Sequence, residues 1–239
     1  MKLPEKAFYV KPNNIAKERF SLCEVESKHA LKVLRLKIGD SIILIDGIST
    51  GYIGEIKRVK KNELSGTIKK VVKDLGETKN TIHIYPALFK KSRFEILLEK
   101  ATELGVKEIH PLITKRSVLQ TINLDRCKKI LIASAKQCRR SFFPIIHKPK
   151  SLESLFKTKK KYIYHACHLE ADQNLLPFNI PKIYPINVII GPEGGFSENE
   201  LGLMEKKGIT FFSLGNRRLR SETAAITSLV LLNTMGEFK

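Results

Sequence analysis

Beyond residue 80 the chain alternates short β-branched runs with amphipathic stretches of ten or more residues. That rhythm admits few folds, because strands separated by helices pair in parallel within an α/β layer architecture. TIHIYPAL reads as the first strand of this region. In SRFEILLEKATELGV, Ser92 and Glu95 have capping-box spacing, Phe94, Leu97, Leu98 and Ala101 share one helical face, and Gly105 suits the stop. VKEIHPLI is the next strand expected. NLDRCKKILIASAKQCRR is the next helix, with Leu124, Cys127, Leu131, Ala135 and Cys138 on its apolar stripe. KYIYHAC, YPINVIIG and ITFFSLG supply further strands, and KTKKK at 157–161 reads as an exposed loop.

Residues 1–75 follow another pattern. IGDSIILIDGISTGYIGEIKRVKKNELSGTIKKVV breaks into short strands at Gly-Asp, Asp-Gly, Ser-Thr-Gly and Lys-Lys-Asn, as an antiparallel meander or small barrel does. Ahead of it, ESKHALKVLRL places Ala30, Val33 and Leu34 at helical spacing among basic residues. Two domains are therefore expected: a small β-rich one over 1–75 and an α/β one over 76–239.

Charge narrows the partners. Lys and Arg number 43 against 24 Asp and Glu, a formal net charge of +19, so the chain should attract polyanions in a salt-dependent way and nucleic acid leads the candidates. No run approaches the roughly 20 apolar residues of a membrane span, and MKLPEKAFYVKPNN lacks the apolar centre of a secretory signal, so a cytoplasmic protein is expected. Cys23, Cys127, Cys138 and Cys167 lie far apart with no C-x-x-C pair, which fits reduced thiols and no metal. His165-Ala-Cys167-His168 is the one place where His and Cys crowd together, and it reads as loop and core.

Two glycine-bearing turns stand where α/β folds place ligands, at the carboxyl ends of strands. In the first, Val188 to Ile190 make a buried strand, Gly191 to Phe196 the turn, and Ser197 with Glu200 a capping box. In the second, SLGNRRLRSETAAITSLVLL, a strand ends at Leu214-Gly215, three arginines follow, Ser221 begins a helix as its N-cap, and Ala224 to Leu232 are apolar nearly all round, as in a buried helix. Neither G-x-G-x-x-G nor a P-loop is present. A carboxylate at Glu193 would repel a pyrophosphate in the first turn, so a neutral or cationic ligand fits better, and S-adenosylmethionine carries a sulfonium.

LEKATELGV (98–106), AKQCRR (135–140), IGPEGGFSENE (190–200), LGNRRLRSETA (214–224) and HALKVLRLKIGD (29–40) closely resemble the bacterial small-subunit ribosomal RNA (uracil-N3)-methyltransferase family of the SPOUT superfamily. The resemblance implies a PUA-like RNA-binding domain, then a methyltransferase domain with a deep trefoil knot, working as a homodimer on one uridine of 16S rRNA in the small subunit. It places S-adenosylmethionine against Gly191, Pro192, Glu193, Gly194 and Gly195, and against Leu214, Gly215, Leu219, Arg220 and Thr223. RNA contacts fall to Arg35, Lys91, Arg93, Arg139, Arg140, Arg217 and Arg218. The sequence departs from the family pattern at Arg218, where an aliphatic residue is usual, and at Lys136-Gln137-Cys138, where an acid, Gln and a small residue are usual.

Methylation at N3 requires loss of a proton that leaves charge on the uracil carbonyls, so a fixed cation near those oxygens is the expected device. Arg220 fits it, and its pKa is too high for it to act as the base. Glu222 is either that base or a residue that complements the helix dipole. Ribose 2′-O methylation and a non-enzymatic ribosome-binding role are the competing readings.

Overall fold

The computed structural model describes residues 3–60, 63–157, 163–171 and 185–234, and the expected loop at 157–161 lies almost wholly outside them. The chain divides into two units, Met1–Glu77 with Ile132–Phe143, and Thr78–Leu131 with Pro144–Lys239.

In the first unit the punctuated β-branched runs become a six-stranded sheet. Its strands are β1 (Ala7–Tyr9), β2 (Ile15–Ala16), β3 (Arg19–Ser21), β4 (Ser41–Ile45), β5 (Thr50–Lys60) and β6 (Glu63–Lys73), in the order β1-β4-β5-β6-β3-β2. All pairs are antiparallel except β1 with β4. The Asp-Gly signal marks the β4–β5 connection, where Asp46 Oδ1 accepts from the N–H groups of Ile48, Ser49 and Thr50 at 2.8, 3.1 and 2.9 Å. Phe8, Phe20, Leu44, Ile56 and Leu64 fill the core beneath. Gly66 of β6 is obligatory: a Cβ there would stand 2.0 Å from the carbonyl oxygen of Glu55.

The basic helix differs from its expected form. A short α-helix, α1 (Glu24–Lys28), passes into a π-turn over His29–Val33. The wider turn shifts the phase of the residues that follow. Ala30 is buried as expected, whereas Val33 points to solvent.

The second unit holds β7 (Ile82–Pro86), α2 (Lys91–Glu103), β8 (Glu108–Ile109), β9 (Leu112–Ile113), α3 (Leu124–Cys138), β10 (Ile145–Ile146), β11 (Lys150–Ser151), α4 (Leu152–Leu155), β12 (Tyr164–Cys167), β13 (Ile186–Ile190), α5 (Glu198–Lys206), β14 (Thr210–Phe212) and α6 (Ser221–Thr234). Helix α3 starts in this unit and its last residues belong to the first. Six strands form a sheet in the order β10-β8-β7-β13-β12-β14, every pair parallel, as the alternating rhythm requires. Ile82, Ile84, Val188 and Ile190 of the sheet pack with Leu97 and Leu98 of α2 and Ala225, Leu229 and Leu232 of α6.

Two local expectations are corrected. VKEIHPLI is two strands, because Pro111 has no N–H with which to extend a ladder. Ser92 does not cap α2, which begins at Lys91; Glu95 instead receives Arg126 Nη2 at 2.7 Å. Helix α6 buries Ala225, Leu229 and Leu232 and leaves Val230 exposed.

Candidate cofactor site

The turn after β13 is held by its own helix. Ser197 N and Oγ stand 2.8 and 2.9 Å from Glu200 Oε2, completing the expected capping box. Glu200 Oε1 meanwhile accepts from the N–H of Lys115 at 2.8 Å, which ties the turn to the segment after β9. Arg116 completes that tie by donating from Nη1 to the carbonyls of Gly194 at 2.6 Å and Phe196 at 3.3 Å. Gly195 has φ +71° and Gly215, in the second turn, φ +99°, conformations that favour glycine.

Between the two turns, at the carboxyl ends of β12, β13 and β14, lies a cavity of about 430 Å³, within the usual range for small-molecule sites. The structure brings Gly191 to Gly195, Leu214, Gly215 and Leu219 into one lining, together with Arg217 and Arg218. Arg220 and Thr223 are exposed and stand outside it. The lining combines apolar side chains, among them Ile190, Phe196 and Leu219, with the carboxylates of Glu170 and Glu198 and the guanidiniums of Arg116 and Arg217. Such a mixture fits a ligand with a flat apolar ring at one end and charges of both signs at the other. Cys167 also lines the cavity, but burial pushes its thiol up to about 12, so it stays protonated and is not a nucleophile.

Glu193 does not face a ligand alone. Its carboxylate is paired with Arg93 Nη1, and its backbone carbonyl accepts from Arg218 Nη2 at 3.0 Å. The repulsion that a lone acid would exert on a pyrophosphate is thus largely cancelled, and the sequence argument against phosphate loses most of its force. Arg93 Nε also stands 3.6 Å from Glu222 Oε1 at the start of α6. Arg93, expected at RNA, therefore bridges the first turn to the helix that follows the second.

The other expected RNA contacts separate. Arg35 and Lys91 are exposed, and Arg139 is half-buried with φ +60°. Arg140 is corrected: at 1% exposure it is locked by Nε to both carboxylate oxygens of Glu77 at 3.0 Å, and it lies 5.7 Å from the ring of Phe142. A guanidinium so buried serves the first unit's structure.

Comparison with known proteins adds the family. A model described as RNA methyltransferase domain matches residues 76–233, and one described as RNA methyltransferase PUA domain matches 22–69. Ribosomal RNA small subunit methyltransferase E of Rickettsia conorii is 31% identical over 95% of both chains. The chain belongs to the ribosomal RNA small subunit methyltransferase E family. The enzyme of that name from Neisseria gonorrhoeae, solved bound to S-adenosyl methionine, superposes with a TM-score of 0.87 at 25% identity over 96% of this chain and 97% of that one. A Legionella pneumophila protein solved in complex with the same cofactor superposes at 0.84, with 30% identity and 98% of each chain covered. The methyltransferase E match thus spans both glycine turns and α6, with the PUA match on the β-rich first unit, as the motifs implied.

Several methyltransferase E residues of the cavity escape a reading by motif. Arg116 carried a usable signal, a basic residue just past a strand end. His165, Cys167 and His168 were visible as a His and Cys cluster and read as loop and core; His165 is buried in β12 and Cys167 packs against the core, but Cys167 and His168, in the loop after the strand, also line the cavity.

Proposed function

We propose that this chain transfers a methyl group from S-adenosylmethionine to N3 of a uridine in 16S rRNA of the small ribosomal subunit. The observation that carries this reading is the cavity shared by the Gly191–Gly195 and Leu214–Leu219 turns, with an arginine-rich segment at its rim, in a chain of this family. The cofactor, when bound, supplies an electrophilic methyl carbon. The turns hold it through their backbones, which glycine leaves open to close approach.

Arg220 gives up its backbone carbonyl to the first turn of α6, accepting from Ala224 N at 2.8 Å. Its exposed guanidinium has no side-chain partner among the described residues and is assigned to the uracil carbonyl oxygens, where charge grows as N3 loses its proton. Glu222 is assigned as the acceptor of that proton: its Oε2 makes no hydrogen bond, and its Oε1 stands 3.6 Å from Arg93 Nε at the start of α6. N3 lies on the Watson–Crick edge, so the uridine must be unpaired or extruded to react. Arg35, Lys91 and Arg139 are assigned to neighbouring phosphates.

The resemblance further supports a homodimer in the cytoplasm, checked by light scattering and fractionation. No helix among the described residues is long and apolar enough to cross a membrane. The decisive experiment incubates the chain with labelled S-adenosylmethionine and either small subunits or naked RNA from a strain lacking this gene, then maps the product. N3-methyluridine at one position is expected. A 2′-O-methyl product would replace the specificity, and labelling of neither substrate would overturn the assignment.

A further inference from the structure

Three adjacent parallel strands of the second unit carry three imidazoles and a carboxylate that play no part in the cavity. His83 of β7 and Glu108 of β8 are register partners, and Ile145 of β10 pairs with Glu108 from the other side. Strand parity sends Ile82, Ile84, Ile109 and Ile146 into the core, and places His83, Glu108, His110 and His147 on the opposite face. Backbone bonds prolong both ladders to the last two residues, from His110 N to Ile84 O at 2.8 Å and from His147 N to Ile109 O at 2.9 Å. All four side chains are therefore mounted on sheet backbone, which holds geometry better than a loop does.

Glu108 is the focus. Its Oε2 lies 2.7 Å from His147 Nε2 and 3.0 Å from His110 Nε2, and its Oε1 lies 3.8 Å from His83 Nε2. The ligand atoms of His83, Glu108 and His110 all fall within 4.8 Å of one another. The His110 ring is fixed from both faces, stacked on His147 with centroids 4.0 Å apart and on Tyr85 at 4.4 Å. Its Nε2 is shielded from solvent yet forms no hydrogen bond, because the approach to Glu108 is close in distance but lacks hydrogen-bond geometry.

Hydrogen bonding alone leaves this arrangement unsatisfied, since three imidazole nitrogens converge on one carboxylate and one of them is orphaned. A cation between His83, Glu108 and His110 gives the orphaned nitrogen a partner, while His147 Nε2 keeps its 2.7 Å hydrogen bond to Glu108. Ligands at about 2.0–2.1 Å from a tetrahedral zinc are roughly 3.3 Å from each other, between the 3.0 and 3.8 Å found from Glu108 to His110 and His83.

We propose that His83, Glu108 and His110 form a binding site for a zinc-class divalent metal. Two nitrogen donors and one carboxylate favour zinc, nickel or copper over magnesium and calcium. Three protein ligands leave the fourth position of a tetrahedron to water, and the ion fastens β8 to β7, while His147, stacked on His110, orients the carboxylate by its hydrogen bond. The donors are scattered between positions 83 and 110, so the spacing rules that gave no metal from the cysteines could not find them.

The test uses the full chain, stripped with a chelator and titrated with zinc or cobalt(II). One equivalent should bind per chain, with tetrahedral cobalt absorption free of thiolate charge transfer, and zinc should raise Tm. His110→Gln and His83→Gln should each weaken binding at least about tenfold, in line with the loss of one ligand. If either fails to fold by circular dichroism, Glu108→Gln carries the same comparison. Sub-stoichiometric binding, a thiolate band that places the ion at cysteine, or equal affinity across the folded variants would overturn the site.

Discussion

Arg116 Nη1 donates to the backbone carbonyl of Gly194 at 2.6 Å, joining residues 78 apart in sequence and fixing the turn that floors the cavity. A charge-assisted bond of this kind contributes about 1.5–3 kcal/mol. Arg116→Ala frees the turn, and Kd for S-adenosylmethionine in calorimetry is expected to rise roughly 10- to 100-fold. Arg116→Lys should recover part of the loss, since lysine keeps the charge without the fork. An unchanged Kd in the alanine variant would remove Arg116 from the site.

Arg220 and Glu222 should behave as groups used in the chemical step. Arg220→Ala is expected to lower kcat by about 10²–10³, the usual cost of deleting a donor to developing charge, while cofactor affinity stays measurable. Glu222→Gln keeps shape and hydrogen bonding but accepts no proton, and its kcat should fall with little change in cofactor affinity. Full activity in that variant would leave Glu222 as a helix-dipole residue.

Arg140 and Glu77 form a pair whose partners are both almost wholly buried, with side-chain exposures of 1% and 3%. Removing one partner strands the other's charge, at a cost of about 3–5 kcal/mol. Urea denaturation of Arg140→Ala should show that loss, whereas Arg140→Met with Glu77→Gln should restore much of it. A stability equal to the parent in Arg140→Ala would return Arg140 to the RNA-facing set.

Burial lowers the pKa of His165 in β12. The unfolded chain, with an imidazole pKa near 6.5, then binds the proton more readily than the folded one. Stability from this group is complete above that value and declines as pH falls toward the folded pKa. Thermal melts should show Tm dropping from pH 7 to pH 5, and His165→Asn should make the drop shallower. His83 and His110, the latter brought to about 4 by burial, act in the same direction, so some drop remains in the variant.

What the sequence made legible was local. The capping box at Ser197 and Glu200 is readable because both halves lie within four residues and the distant Lys115 N–H takes only Glu200 Oε1, leaving Oε2 for the box. At Ser92 and Glu95 the same spacing fails, since Arg126, thirty-one residues away, takes the carboxylate. Arg140 looked like a phosphate ligand because AKQCRR is basic, and only the fold brings Glu77 against it. Strand order was out of reach for a related reason: periodicity gives parallel strands but cannot say that β13 enters between β7 and β12.

That insertion has a consequence for timing. Translation delivers β7, β8, β10 and β12 first, yet β13, which lies between β7 and β12, begins only at Ile186, and the second turn arrives after Phe212. A nascent chain arrested before residue 186 lacks both turns of the cavity, so recognition of the methyl donor begins only once the second turn has been made. Until then β7 is paired only with β8 and β12 has no strand beside it, and the slowest step in making this enzyme should be the late closing of its sheet.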